Sequence, residues 1–180
     1  MKKKFGICIL AAMTAVACGA GIGAAQCVLS VLPADTTLCR GEVFRMSVYV
    51  DSAAVNLMGY DVTVSFDADL LGVMDVVEGS LPAESGYPTF FRWINEGEDD
   101  DFVFVNGSIL GKTVDGPGVL FTILFEALAV GDVSVCVEES ELRNGLNRSI
   151  THTTVCGSVT IEEPIGAADS SWGAIKALVE

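Results

Sequence analysis

Asn56-Leu57-Met58-Gly59-Tyr60-Asp61-Val62-Thr63-Val64-Ser65-Phe66-Asp67-Ala68-Asp69-Leu70-Leu71-Gly72-Val73-Met74-Asp75-Val76-Val77 is the stretch that decides the fold. From Tyr60 to Phe66 the residues alternate, with Tyr60, Val62, Val64 and Phe66 on one side and Asp61, Thr63 and Ser65 on the other. A period of two is what a strand with one buried and one wet face requires. Asp67-Ala68-Asp69 then reads as a turn, because Asp side chains hydrogen-bond their own backbone and tolerate tight geometry. The apolar run 70–77 reads as a second, buried strand that closes on Glu78-Gly79-Ser80. A half-exposed strand, an acidic turn and a buried strand make the corner of a sandwich.

Working outward, residues 27–32 read as a first strand and 33–40 as a loop. Gly41-Glu42 opens a second strand with Val43, Met46, Val48 and Val50 as core candidates, so the alternating stretch is the third strand and 70–77 the fourth. A Pro-, Gly- and Ser-containing loop at 82–88 leads to a fifth strand, 89–94, which carries Phe90, Phe91 and Trp93. An acidic hairpin loop, 95–101, precedes the sixth strand at 102–105, where Asn106-Gly107 supplies turn chemistry. Residues 119–130 form the seventh strand, 133–138 the eighth and 155–161 the ninth, with a polar loop at 142–148. Nine short, regularly spaced strands with turns between them specify an all-β sandwich of jelly-roll type.

Ahead of that region, Met1-Lys2-Lys3-Lys4 is basic, residues 5–20 are apolar, and Gly21-Ile22-Gly23-Ala24-Ala25 ends in small residues. This is the pattern of a secretory signal peptide cut after Ala25. Ala15-Val16-Ala17-Cys18 forms a poor lipobox, so lipoprotein anchoring ranks second. No other stretch is long and apolar enough to span a bilayer. The domain organisation is then a leader at 1–25, a sandwich at 26–161, and a linker with a short tail at 162–180. In that tail, Ser170-Ser171 precedes Trp172, Ile175, Leu178 and Val179, the pattern of a short capped helix that either folds back onto the sandwich or serves as an interaction tag.

The full chain carries ten basic and 24 acidic residues, a formal charge of −14. Removing the leader takes away three lysines and leaves seven basic residues against 24 acidic ones, or −17. Such a surface repels nucleic acid and anionic lipid and keeps an exported protein soluble. Four cysteines lie beyond the leader: Cys27, Cys39, Cys136 and Cys156. In an exported chain they favour disulfides over metal ligation, with three pairings open.

Enzyme chemistry finds little footing. Glu96, Glu98, Asp99, Asp100 and Asp101 supply carboxylates for acid–base work, but packed into one loop they read as a solvated charge run with weak attraction for calcium. Asp67, Asp69 and Asp75 match no cation-loop spacing. There is no Gly-x-Ser-x-Gly, and the only histidine, His152, has no evident acid partner. The chain reads as a non-enzyme without a cofactor. Arg143-Asn144 and Asn147-Arg148 read as polar loop closure rather than ligand contacts. A sugar-binding reading rests on aromatic rings: Phe91 and Trp93 share one face of their strand, with Tyr87 nearby, opposite Phe90 and Ile94.

The stretch from Gly59 to Leu71 resembles the third-to-fourth strand signature of cohesin domains, in which a polar strand leads into an aromatic-Asp-Pro turn and a leucine. Gly41-Glu42, Val76-Val77-Glu78-Gly79-Ser80-Leu81, Asp115-Gly116-Pro117-Gly118-Val119-Leu120-Phe121-Thr122-Ile123 and Gly157-Ser158-Val159-Thr160-Ile161 follow the family's order over residues 27–161. Ala68 stands where many cohesins have proline. The resemblance implies a nine-stranded jelly roll that is secreted, extracellular or at the cell surface. It also implies a non-catalytic role as receptacle for dockerin-bearing proteins in polysaccharide degradation or surface assembly. The alternative role is a module that binds extracellular polysaccharide through Phe91 and Trp93. Cohesins dock on one sheet face built from the third, fifth, sixth and eighth strands. By position, that face carries Asp61, Thr63 and Ser65, joined by Asn106.

Overall fold

The alternating stretch forms β4 (Leu57–Ser65), an interior strand of a six-stranded sheet. The computed structural model describes residues 26–96 and 101–164. The leader at 1–25, the centre of the acidic loop at 97–100 and the expected tail helix from Ser170 lie outside the described residues. Within them the chain forms β1 (Cys27–Leu32), β2 (Asp35–Cys39), β3 (Val43–Val50), β4, β5 (Leu71–Glu78), a single helical turn α1 (Ser80–Ala83), β6 (Thr89–Glu96), β7 (Phe102–Ile109), β8 (Gly118–Ala127), β9 (Gly131–Asn144), β10 (His152–Val155) and β11 (Gly157–Glu162). One sheet has the order β10-β1-β3-β8-β5 and the other β2-β11-β9-β4-β7-β6. Their inner faces pack together as the sandwich that the alternation specifies.

Tyr60, Val62, Val64 and Phe66 are all buried in the core. Tyr60 stacks on Phe121 with ring centroids 6.2 Å apart, and Phe66 meets Phe125 edge-on at 5.1 Å. The Tyr60 hydroxyl donates to the Leu120 carbonyl of the opposite sheet at 3.0 Å. Burial, with the Glu78 carboxylate adding to it, pushes this phenol far above its ordinary range, so it stays a donor. Its ring occupies the space over Gly107, directly opposite on β7, where an added Cβ would lie 2.2 Å from Tyr60 Cζ.

Eleven strand segments appear where the sequence spacing yields nine, because two strands switch sheets midway. β1 belongs to the five-stranded sheet and, after Pro33, the chain continues as β2 in the other, so residues 33–40 are mostly strand rather than loop. β10 and β11 do the same across Cys156. The two broken strands lie side by side, β1 parallel to β10 and β11 parallel to β2. Gly157 sits at the crossing, where a Cβ would come within 2.6 Å of Met46 Cε and 2.8 Å of the Pro33 carbonyl. A disulfide between Cys136 on β9 and Cys156 pins the switch.

Several expectations are corrected. Val43 is 51% exposed, because it has the outward parity of Arg45, Ser47 and Tyr49 on β3, whereas Met46, Val48 and Val50 point inward and are buried. β5 is an edge strand with a bulge between Val73 and Asp75, so Leu71 and Val76 are buried while Met74 and Val77 face water. Asn106-Gly107 lies inside β7 rather than in a turn, and its glycine serves Tyr60. β9 runs to Asn144, with Leu142 fully buried, where a loop was expected from residue 142.

Cys27 is buried and Cys39 half-buried, and both are free thiols. Burial, reinforced by the charge of Asp51 and a hydrogen bond to it, pushes the Cys27 thiol from 9.0 up to about 11. The unfolded chain therefore loses this proton first as pH rises. The contribution of the protonated thiol to stability is fully present below pH 9.0 and is lost as pH rises through about 11. Urea midpoints measured from pH 8 to 12 should fall across that window, and Cys27→Ala should flatten the slope there. An equal slope in the variant would remove Cys27 as its source.

Gly107→Ala is expected to cost about 1–3 kcal/mol through overpacking against Tyr60. Tyr60→Phe should cost about 1 kcal/mol from the lost hydrogen bond to Leu120. Urea unfolding monitored by circular dichroism reads both.

Candidate functional site: the outer face of the six-stranded sheet

β9, β4, β7 and β6 are consecutive neighbours in their sheet. Their outward residues form rows set by strand register. In one row, Asp61 lies between Glu141 of β9 and Asn106 of β7, with Arg92 of β6 beyond. In the next, Thr63 lies between Glu139 and Phe104, with Ile94 beyond. Ser65 lies between Cys136 and Phe102. Asp61, Thr63, Ser65 and Asn106 are thus brought together on one face, each half-exposed.

Side-chain bonds hold the face laterally. Asn106 Nδ2 donates to Asp61 Oδ1, and Arg143 Nη2 meets Glu141 Oε2 at 2.6 Å. The Ser65 hydroxyl donates to the Cys136 carbonyl at 3.4 Å. A shallow depression of about 230 Å³ opens among Asp61, Thr63, Phe104, Glu139, Ser140 and Glu141. Carboxylates form one wall and the Phe104 ring the other. A second depression, of about 550 Å³, lies at the end of β4 by Ser65, Asp67, Asp69, Asp101 and Glu138.

Glu139, Glu141, Phe102 and Phe104 belong to this face and were missed in the sequence. Val133, Val135 and Val137 alternate inward, but the register shifts between Thr63 and Val64, where Glu138 adds a residue to β9. That bulge changes the phase of the strand. The surviving signal was Leu142, an isolated apolar residue two positions beyond Ser140.

The aromatic reading is corrected. Phe91 and Trp93 are the half-buried pair that packs against the core, while Phe90 is 48% exposed on the other side of β6. Phe91 and Trp93 therefore form no exposed stacking strip. The polar turn after β9 is closed on itself: Asn144 Oδ1 accepts from the Leu146 and Arg148 amides at 3.0 Å each, and Arg143 bonds Asn147.

Among the described residues, His152 has no carboxylate partner. Its Nδ1–H donates to the Ile150 carbonyl, and its Nε2 and the Ser140 hydroxyl share a second hydrogen bond, both at 2.7 Å. Among the described residues, no three His, Cys, Asp or Glu side chains converge as a metal site. Asp67 Oδ1 accepts from the Asp69 amide, and Asp75 lies on the other sheet, bonding the Val76 amide. No helix among the described residues is long and apolar enough to cross a membrane.

Two packed sheets thus leave one outer face on which carboxylates, hydroxyls, an amide and phenylalanine rings stand side by side. The cohesin domain family profile matches residues 30–161, and the chain belongs to that family. Among solved structures, a non-cellulosomal cohesin from the hyperthermophilic archaeon Archaeoglobus fulgidus is similar at a TM-score of 0.65 and 18% identity, covering 87% of this chain and 100% of that one. A type I cohesin–dockerin complex from Clostridium thermocellum aligns at a TM-score of 0.63 and 16% identity, over 76% of this chain and 99% of that one. The cohesin CaCohA2 from Clostridium acetobutylicum aligns at 0.63 and 16%, over 76% and 90%. No curated protein matches the chain.

The packing of β6 yields a direct check. Trp93→Ala should destabilise the domain by about 2–3 kcal/mol through lost core contacts. Phe90→Ala should stay within about 0.5 kcal/mol, as an exposed substitution does. Equal urea midpoints for the two variants would contradict the observed orientation of β6.

Proposed function

We propose that the chain is an exported, non-catalytic module that docks a dockerin-bearing protein on the outer face of β9, β4, β7 and β6. The partner would be a protein of extracellular polysaccharide degradation or of surface assembly. The observation that carries this reading is the adjacency of these four strands. They are the counterparts of the strands that the family resemblance assigns to docking, and they assemble Asp61, Thr63, Ser65 and Asn106 on one surface. Similar folds have been solved with dockerins bound, including the Clostridium thermocellum complex. The basic start and apolar core of the leader support export, and the acidic composition supports a soluble extracellular life.

The geometry suits a helical partner. The outer sheet face gives contact area, the Phe104 ring gives an apolar anchor, and the neighbouring carboxylates and hydroxyls give directional bonds. Because Asp61 and Asn106 already hold one another, little side-chain freedom remains to be lost on binding.

The test is a pull-down from the producing organism's secreted fraction with and without calcium. The bait is the domain, compared with an Asp61→Ala, Thr63→Ala, Ser65→Ala triple variant, and captured proteins are identified by mass spectrometry. Dockerin-bearing proteins should be retained by the unaltered domain only. For a purified partner, the triple variant should lose about 2 kcal/mol or more of binding, roughly 30-fold in Kd. Equal retention by both baits would move the docking site off β4, and absence of dockerin-bearing proteins from the captured set would remove the partner class.

A further inference from the structure

The outer face of the five-stranded sheet is unlike its counterpart. Leu32, Val43, Met74, Val77 and Val155 stand 38–53% exposed in this sheet, with Leu124 half-buried among them. An antiparallel sheet that faces water ordinarily alternates to polar residues on that side. The polar pair at the centre, Ser47 and Thr122, bond each other at 2.8 Å and so ask less of the solvent. The charged residues Arg45, Asp75 and Glu126 lie toward the end where β3 begins.

The chain leaves the sandwich at that same end. The Arg40 amide donates to the Glu162 carbonyl at 2.9 Å, and the Arg40 guanidinium pairs with Glu163 at 3.1 Å. Three residues after Arg40, Val43 opens β3 and the face. Residues 165–180 follow from this exit, and they carry Trp172, Ile175, Leu178 and Val179 at helical spacing behind Ser170-Ser171.

We propose that the segment 170–179 is the occupant of this face, seating Trp172, Ile175 and Leu178 over Val43, Met74, Leu124 and Val77. The dimensions agree. Six residues of linker reach up to about 20 Å, ten helical residues span about 15 Å, and the outward run of β3 from Val43 to Tyr49 is about 20 Å long. Lys176, a cation among these apolar positions, comes within reach of Asp75 and Glu126. A tethered segment meets the face at a local concentration near the millimolar range, which favours it over a second copy at ordinary concentration.

The experiment uses the chain from residue 26 to 180 carrying Trp93→Phe, so that Trp172 is its single indole. Its emission should lie to the blue of a free peptide of residues 165–180, with acrylamide quenching several-fold weaker, and neither should change on dilution. Met74→Lys with Val77→Lys, both at exposed positions, should return emission and quenching to the free-peptide values while circular dichroism stays unchanged. If Trp93→Phe does not fold, 5-fluorotryptophan in the unaltered chain separates the two indoles, and the solvent exposure of the Trp172 resonance gives the same reading. Emission equal to that of the peptide overturns the proposal. So does a blue shift indifferent to the two lysines, or one that vanishes on dilution, which would make a second copy the occupant.

Discussion

Tyr60 fixes the register on which the proposed docking face depends. Its ring lies over Gly107 in its own sheet, stacks on Phe121 and bonds the Leu120 carbonyl in the other. Because side chains alternate with a period of two, a one-residue slip of β4 would send Asp61, Thr63 and Ser65 into the core. Such a slip would also draw the phenol away from its only pocket and leave the Leu120 carbonyl without this donor. The pattern Tyr-x-Val-x-Val-x-Phe says which side is inward, while the glycine opposite the tyrosine says which residue must face which. Pattern and packing agree, and that agreement makes the outward side as well determined as the inward one.

What could be read in the sequence is what alternates without interruption. Residues 60–66 gave the strand, its buried side and its wet side. The turn at Asp67 to Asp69 followed from aspartate chemistry and is closed by the Asp67 carboxylate on the Asp69 amide. Where the alternation breaks, reading failed for physical reasons. At Glu138-Glu139 a bulge shifts the phase of β9, so two carboxylates of the proposed docking face looked like the approach to a loop. At Pro33 and Cys156 the strands continue in the other sheet, and a local pattern does not record a change of partner. Asn106-Gly107 has turn chemistry, but the glycine is required by a ring 47 positions earlier in the chain. In β5 a bulge between Val73 and Asp75 breaks the alternation, so the run 70–77 hides which of its apolar residues face inward.

The two outer faces differ in chemistry. On the six-stranded sheet, Asn106 holds Asp61 and Arg143 holds Glu141, beside the Thr63 and Ser65 hydroxyls and the rings of Phe102 and Phe104. A partner that binds there meets groups already oriented, and reading a pattern of donors and acceptors gives specificity beyond area alone. On the five-stranded sheet, Val43, Leu124 and Val77 alternate with Arg45, Glu126 and Asp75, and the central hydroxyls of Ser47 and Thr122 are spent on each other.

The sheet switches set the ends of the described chain apart from the face formed by β9, β4, β7 and β6. β1 with β2 and β10 with β11 run together in parallel, so both ends of the described chain are gathered along one seam. In the six-stranded sheet that seam occupies β2 and β11, and the strands of that face extend from β9 away to β6 at the opposite edge. The Cys136–Cys156 bridge joins the seam to β9, the first strand of that face. Tension on the chain beyond Glu162 is therefore borne first by β11, its ladders to β2 and β9 and the Arg40–Glu163 pair, while β4 is reached only through β9. The same seam brings Glu162 beside Arg40, three residues before Val43 opens β3, so one feature of the topology sets the end of the described chain apart from the β9-β4-β7-β6 face and close to the outer face of the other sheet.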